Sequence, residues 1–173
     1  LKRHRQTFAG IVEGMQLGTV EQQQLPELNE FDAEALIRAI HPDPLAVPTT
    51  PDGVRAHFRL LREAIAACVR GDTVPEGMSS YEVFRSGVQH ALDLVRAEYA
   101  DADVLLVSSG GPISTAVGLV LGTAPETAID LNLRMRNSAL TEFAVTPRRH
   151  TLVTYNTLPH LHAPNYRSWI THA

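Results

Sequence analysis

The stretch DVLLVSSGGPISTAVGLVLG, residues 103 to 122, decides how the rest of the chain is read. Val104 to Val107 form the unbroken apolar run expected of a strand covered on both faces, as in a parallel sheet. Ser108, Ser109, Gly110 and Gly111 follow as a loop. Pro112 then stands in the first turn of a helix that Gly122 stops. Glycines at the carboxyl end of such a strand let a ligand approach the backbone, and the next helix offers free N–H groups and a positive dipole end. Ser109, Gly110 and Gly111 are therefore a candidate phosphate-binding loop. The plainer reading is that Ser109 or Gly111 only caps the helix. Neither serine has a base beside it in sequence, so the residue that would perform chemistry is not evident from this stretch.

Working upstream, residues 81 to 95 place Phe84, Val88, Leu92 and Val95 on one helical face, with Ser79 or Ser80 as its cap. Val54, Phe58, Leu61, Ile65 and Cys68 define a second amphipathic helix, ending at Gly71. HPDPLAVPTTP, residues 41 to 51, is a proline-rich surface connection after the helix DAEALIRAI. Residues 19 to 31 read as a short strand and loop. Phe8, Ile11, Val12 and Met15 recur at helical spacing in residues 2 to 15. Downstream, a helix spans about 125 to 133. Two β-rich runs around TPRR then suggest a terminal antiparallel hairpin. Helices with strands between them point to an α/β layered sandwich with a mixed sheet.

A chain of 173 residues, 44% hydrophobic and 20% charged, fits one domain, residues 1–173. A net charge of −4 argues against a nucleic-acid-binding surface. Cys68 is the lone cysteine, on an apolar stripe, so it reads as a buried inert thiol. No apolar run approaches the roughly 18 residues of a membrane span, and no signal peptide is visible. The expected location is cytoplasmic, with no membrane partner.

Three cations open the chain in LKRHRQ, where the helix dipole disfavours them, which suggests another task. Arg3 and Arg5 cannot both face one site on a helix. Glu30, in PELNEF, is a loop carboxylate able to protonate a leaving oxygen, although such a residue is more often plain surface. His160 and His162 would share a face on a strand with His150 nearby, the basis of a metal-dependent reading. No matching carboxylate joins them, and no metal is expected. Trp169 reads as an anchor of the tail, in the core or at a dimer contact.

In collinear order, these stretches resemble the phosphoglycerate-mutase-like branch of the histidine phosphatase superfamily. LKRHRQT resembles the family's Leu-x-Arg-x-x-Gln-Thr helix start, and LPELNEFD its Leu-x-Glu-Phe-Asp segment. SYEVFRSGVQHAL is similar to the helix before the core strand. VLLVSSGGPI is similar to Val-x-Val-Ser-His-Gly-Gly-x-Ile. RNSALTEFAV matches the Asn-Ser strand, and LVTYNTLPHL the closing strand with its Asn/Asp-x-x-x-His-Leu tail. The resemblance implies a three-layer α/β/α sandwich with a mixed, mostly parallel sheet, and an insert or cap around residues 40–80 that sets specificity. By position it makes Arg3 a phosphate-gripping arginine and Glu30 the general acid of some members, and it puts Ser109 where the second active-site histidine stands.

Two departures accompany it. The Arg-His-Gly motif that carries the family's nucleophile lies upstream of the segment matching residue 1 and is not in the sequence. The His-to-Ser change at 109 keeps a hydrogen-bond donor but no positive charge, which costs about 3 kcal/mol, roughly a hundredfold in rate. The Gly-x-Trp-Glu-Gly pattern often found after the Glu30 segment is also replaced, by AEALIRA. Because the family's first strand is central to its sheet, a native polypeptide extending upstream of Leu1 is expected.

The function expected is phosphomonoester hydrolysis through a phosphohistidine on that upstream histidine, without a cofactor, on a small phosphorylated substrate. Phosphatase activity is favoured over mutase activity. The alternative is a degenerate member that binds a phosphorylated ligand or a partner without turnover. Ser109 as nucleophile is disfavoured, since no Ser-His-Asp order is legible. A homodimer through an edge strand or the C-terminal tail is a further expectation.

Overall fold

The computed structural model describes residues 1–172. The chain runs through helices α1 (Lys2–Gly14), α2 (Ala33–Ile40), α3 (Pro51–Arg70), α4 (Tyr81–Glu98), α5 (Gly110–Leu121) and α6 (Pro125–Asn132). Strands β1 (Leu140–Thr146) and β2 (Arg149–Thr157) follow. Short 3-10 turns lie at Pro26–Leu28, Pro159–Leu161 and Pro164–Trp169.

The helix boundaries follow from their capping residues. Asp32 Oδ1 accepts from the Glu34 and Ala35 amides, Thr50 Oγ1 from Gly53 N at 3.1 Å, and Ser80 Oγ from Val83 N at 3.4 Å. Gly71 and Gly122 end α3 and α5 in the left-handed region, with φ of 78° and 65°. One core cluster joins Leu36, Ile37, Ala64, Ile65, Cys68, Tyr81 and Ile129, from α2, α3, α4 and α6. Cys68 is buried there, as its stripe predicts. A second cluster packs Val88, Leu92 and Ala116 against Leu28 and Phe143, joining α4 and α5 to the hairpin. α5 is the most deeply set element, buried at Gly110 to Pro112 and at Ser114 to Gly118.

β1 and β2 pair antiparallel around Pro147 and Arg148, the hairpin the sequence predicts. Thr146 Oγ1 accepts from Arg149 N at 3.2 Å and tightens the turn. Asn156, at φ 56°, ties the hairpin to the chain before it. Its side-chain oxygen accepts from Arg136 N at 2.9 Å, and its Nδ2 donates to Arg134 O at 2.9 Å.

Three expectations need correction. Val104 to Val107 has no regular secondary structure and belongs to no sheet, and among the described residues the sheet has two antiparallel strands. A strand exists only where a neighbour takes its backbone groups, and no described segment pairs with this one. Val104, Leu105 and Leu106 accordingly stay 41%, 50% and 41% exposed. The mixed, mostly parallel sheet is therefore not formed by the described residues. The strand expected within 19 to 31 is coil ending in the Pro26–Leu28 turn, because Pro26 starts a 3-10 helix instead. Trp169 is no core anchor: it is 65% exposed and packs against the Tyr166 ring at 4.9 Å.

Helix α1 forms as predicted but carries no buried residue. It is tied to the rest of the molecule at its first turn, by Arg3 and His4.

Candidate functional site

Everything about the site starts from the N-terminus of α5. Ser109 is the N-cap residue, yet its hydroxyl makes no capping bond. The cause is local. A capping hydroxyl bonds the amide of the second or third helical residue. Here the second amide, Gly111 N, is taken by Glu30 Oε2 at 2.8 Å, and the third residue is Pro112, which has no N–H. Ser109 Oγ is thus released from the role that the plainer reading assigns it.

It turns to α1 instead. Arg3 Nε and Nη2 donate to Ser109 Oγ at 3.1 and 3.0 Å, and His4 Nε2 lies 2.6 Å from the same oxygen. A guanidinium can only donate, and a hydroxyl oxygen accepts at two lone pairs. The two Arg3 bonds fill both, so the Ser109 proton points at His4 Nε2. That bond requires a neutral imidazole protonated on Nδ1. Burial, and then the positive charges nearby including Arg3, hold the His4 pKa below its ordinary value, which keeps it neutral.

Glu30 reaches the loop from the other side. Its Oε1 accepts from its neighbour Phe31 N at 2.9 Å while Oε2 holds Gly111. Ser108 positions this segment by donating to Leu28 O at 2.7 Å. Burial raises the Glu30 pKa; the two amide bonds and Arg3 pull the other way without cancelling it. The carboxyl is thereby prepared to hold a proton that an exposed glutamate would lose.

The two glycines are there for room. A Cβ on Gly111 would overlap Glu30 Oε1, and one on Gly110 would overlap Asn132 Oδ1. Arg3, Glu30, Ser109, Gly110 and Gly111, which sequence reasoning singled out separately, therefore lie around one helix end.

His4 was missed. The sequence shows it between two arginines, 105 residues from Ser109, and nothing in its spacing links the two. The signal available was its place on the α1 start, one residue from Arg3.

The histidines of the metal reading do not assemble. His160 lies in the Pro159–Leu161 turn, not on a strand, and its Nε2 is 3.1 Å from Ser138 Oγ. His162 Nδ1 bonds Pro159 O at 2.8 Å, and His150 sits on β2. Among the described residues, no three His, Cys, Asp or Glu side chains are grouped to hold a metal ion. Nor is any helix long and apolar enough to cross a membrane.

The model of the histidine phosphatase superfamily (branch 1) matches residues 1–158. The chain belongs to that superfamily, an α/β family of phosphatase and mutase type, and the match takes in α1, Glu30 and the Ser109 loop together. No curated protein and no solved structure matches it.

Proposed function

We propose that the chain hydrolyses phosphomonoesters, with the phosphate held between Arg3 and the Ser109 to Gly111 loop and the leaving alcohol protonated by Glu30. The observation that carries this reading is the convergence, on one helix N-terminus, of a guanidinium and a desolvated carboxyl. Arg3 matches the double charge of a phosphoryl group, and the dipole of α5 adds to it. Glu30, its pKa raised, supplies the proton that makes an alkoxide a tolerable leaving group.

The full arrangement of the domain in this reading is the phosphoglycerate-mutase-like three-layer sandwich. Residues 40–80, which include α3, shape the substrate end of the pocket. The family's route passes the phosphoryl group to a histidine nitrogen upstream of Leu1, which water then relieves of it. The second reading, binding of a phosphorylated ligand without turnover, is favoured by one observation: Ser109 puts a neutral hydroxyl where a charged imidazole would serve.

Hydrolysis of p-nitrophenyl phosphate, with and without chelator, separates the two. Turnover indifferent to chelator and lowered by Arg3→Ala and Glu30→Gln supports the hydrolase. Saturable phosphate binding with no turnover supports the binding protein.

A further inference from the structure

We propose that His4 is a charged partner of the anion this site binds: it takes up a proton as a phosphoryl group, or another tetrahedral oxyanion, enters between Arg3 and Ser109, and acts on that anion through the Ser109 hydroxyl. The proposal rests on the phosphate-pocket reading for its ligand class, and on Arg3, His4 and Ser109 for its chemistry.

In the free site the hydrogen bonds run the other way. Ser109 donates to His4 Nε2 at 2.6 Å, and both lone pairs of its oxygen accept from Arg3. Arg3 is exposed while His4 and Ser109 are half-buried, so an incoming anion meets the guanidinium first. A guanidinium bonds a charged oxyanion more strongly than a neutral hydroxyl, so its donors leave Oγ for the anion. The Ser109 lone pairs are then empty, and its proton is wanted by the anion. Turning that proton away leaves Nε2 unpaired unless Nε2 becomes a donor, which protonation of His4 achieves. The 2.6 Å contact survives with its direction reversed, from Nε2–H to Oγ, and the Ser109 O–H points at the anion.

Electrostatics favour the exchange. Burial, and then the Leu1 amino group and the Arg3 guanidinium, hold His4 neutral in the free site. A dianion on Arg3 offsets that repulsion, and an opposite charge within about 4–6 Å favours the charged imidazole. The proton comes from solvent, at most one for each anion bound, and returns to it on release. Glu30, the other titratable group of the site, lies on the Gly111 side of the helix start and faces Arg3. Because the bound anion holds the proton on His4, the exchange shows in affinity and not in the rate at saturation.

The test is calorimetric titration of the whole protein with sulfate, which stays doubly charged through the neutral range, at about pH 6.5. Two buffers of different ionisation enthalpy count the protons taken up. Wild type should take up a proton fraction approaching one per sulfate, and its affinity should rise by up to about tenfold per pH unit as pH falls. His4→Gln keeps a hydrogen-bonding side chain but cannot titrate, so uptake and slope should both disappear; in Glu30→Gln both should persist. Ser109→Ala combined with His4→Gln should weaken binding no more than the worse single variant, since the two cut one route. Circular dichroism checks that each variant is folded. Sulfate bound by wild type without proton uptake overturns the proposal, needs no variant, and leaves the phosphate pocket standing. So does uptake that survives in His4→Gln or vanishes in Glu30→Gln, or full additivity of the two site variants. Wild type that binds no sulfate removes the pocket and the proposal together. Proton uptake with sulfate but no turnover of p-nitrophenyl phosphate leaves the proposal standing and removes the hydrolase.

Discussion

At the scale of the residue, Gly111 shows most clearly how little space the site allows. Its missing Cβ is what lets the Glu30 carboxylate lie across the start of α5. In Gly111→Ala the obstructed group is the end of a flexible side chain, so the helix should survive while the carboxylate swings out. The expected outcome is a thermal midpoint within a few degrees of wild type and a loss of turnover as large as that of Glu30→Gln, about 10² to 10⁴-fold. A Gly111→Ala protein that kept full activity would remove Glu30 from the mechanism.

Protonation at this scale also predicts a pH profile. The acid must be protonated, so the rate falls as Glu30 ionises, above the usual carboxylate range. Glu30→Gln should lower the height of the profile and erase the alkaline limb, because an amide does not ionise.

At the scale of the element, legibility tracked how local the determining forces are. α3, α4 and α5 were readable because their apolar spacing, serine and threonine caps and terminal glycines are properties of neighbouring residues. The hairpin was readable for the same reason, from Pro147 between two β-branched runs. Val104 to Val107 was legible as an extended apolar run but not as a strand, since pairing is decided by a partner elsewhere in the chain. Hydrogen exchange distinguishes the two situations. Amides of 104–107 should exchange fast, and those in the middle of α4 and α5 should be protected.

Asn156 belongs to this scale as well. It holds a left-handed backbone and satisfies two backbone groups of the 134–136 segment. Asn156→Ala should cost about 2 kcal/mol in denaturant unfolding, with the hairpin loosened from that segment. Tyr155, next to it, donates its hydroxyl to Leu131 O at 2.7 Å, and burial pushes its pKa to about 12. The folded state therefore keeps a proton that the unfolded state loses first. Stability falls as pH rises from the ordinary tyrosine range near 10 towards about 12. Tyr155→Phe should flatten that alkaline decline, read as the thermal midpoint against pH.

At the scale of the whole molecule, the site is assembled from three segments far apart in sequence. α1 brings Arg3 and His4, the Pro26–Leu28 region brings Glu30, and α5 brings Ser109 and its glycines. Sequence alone marked Arg3 as a cation at a helix start, Glu30 as a loop carboxylate able to protonate a leaving oxygen, and the loop by its paired glycines between an apolar run and a helix. It could not mark His4, whose contact with Ser109 spans 105 residues. The superfamily match over residues 1–158 embraces all of these segments at once, so the phosphoester reading concerns the molecule and not one motif.

The most direct measurement is p-nitrophenyl phosphate hydrolysis by the wild-type chain and by Arg3→Ala, each with and without chelator. A phosphomonoesterase built on this pocket turns the substrate over equally with and without chelator, and Arg3→Ala lowers the rate about 10² to 10³-fold, the loss of one oriented charged donor. Turnover abolished by chelator, or left unchanged by Arg3→Ala, would mean that phosphate is not processed between Arg3 and Ser109.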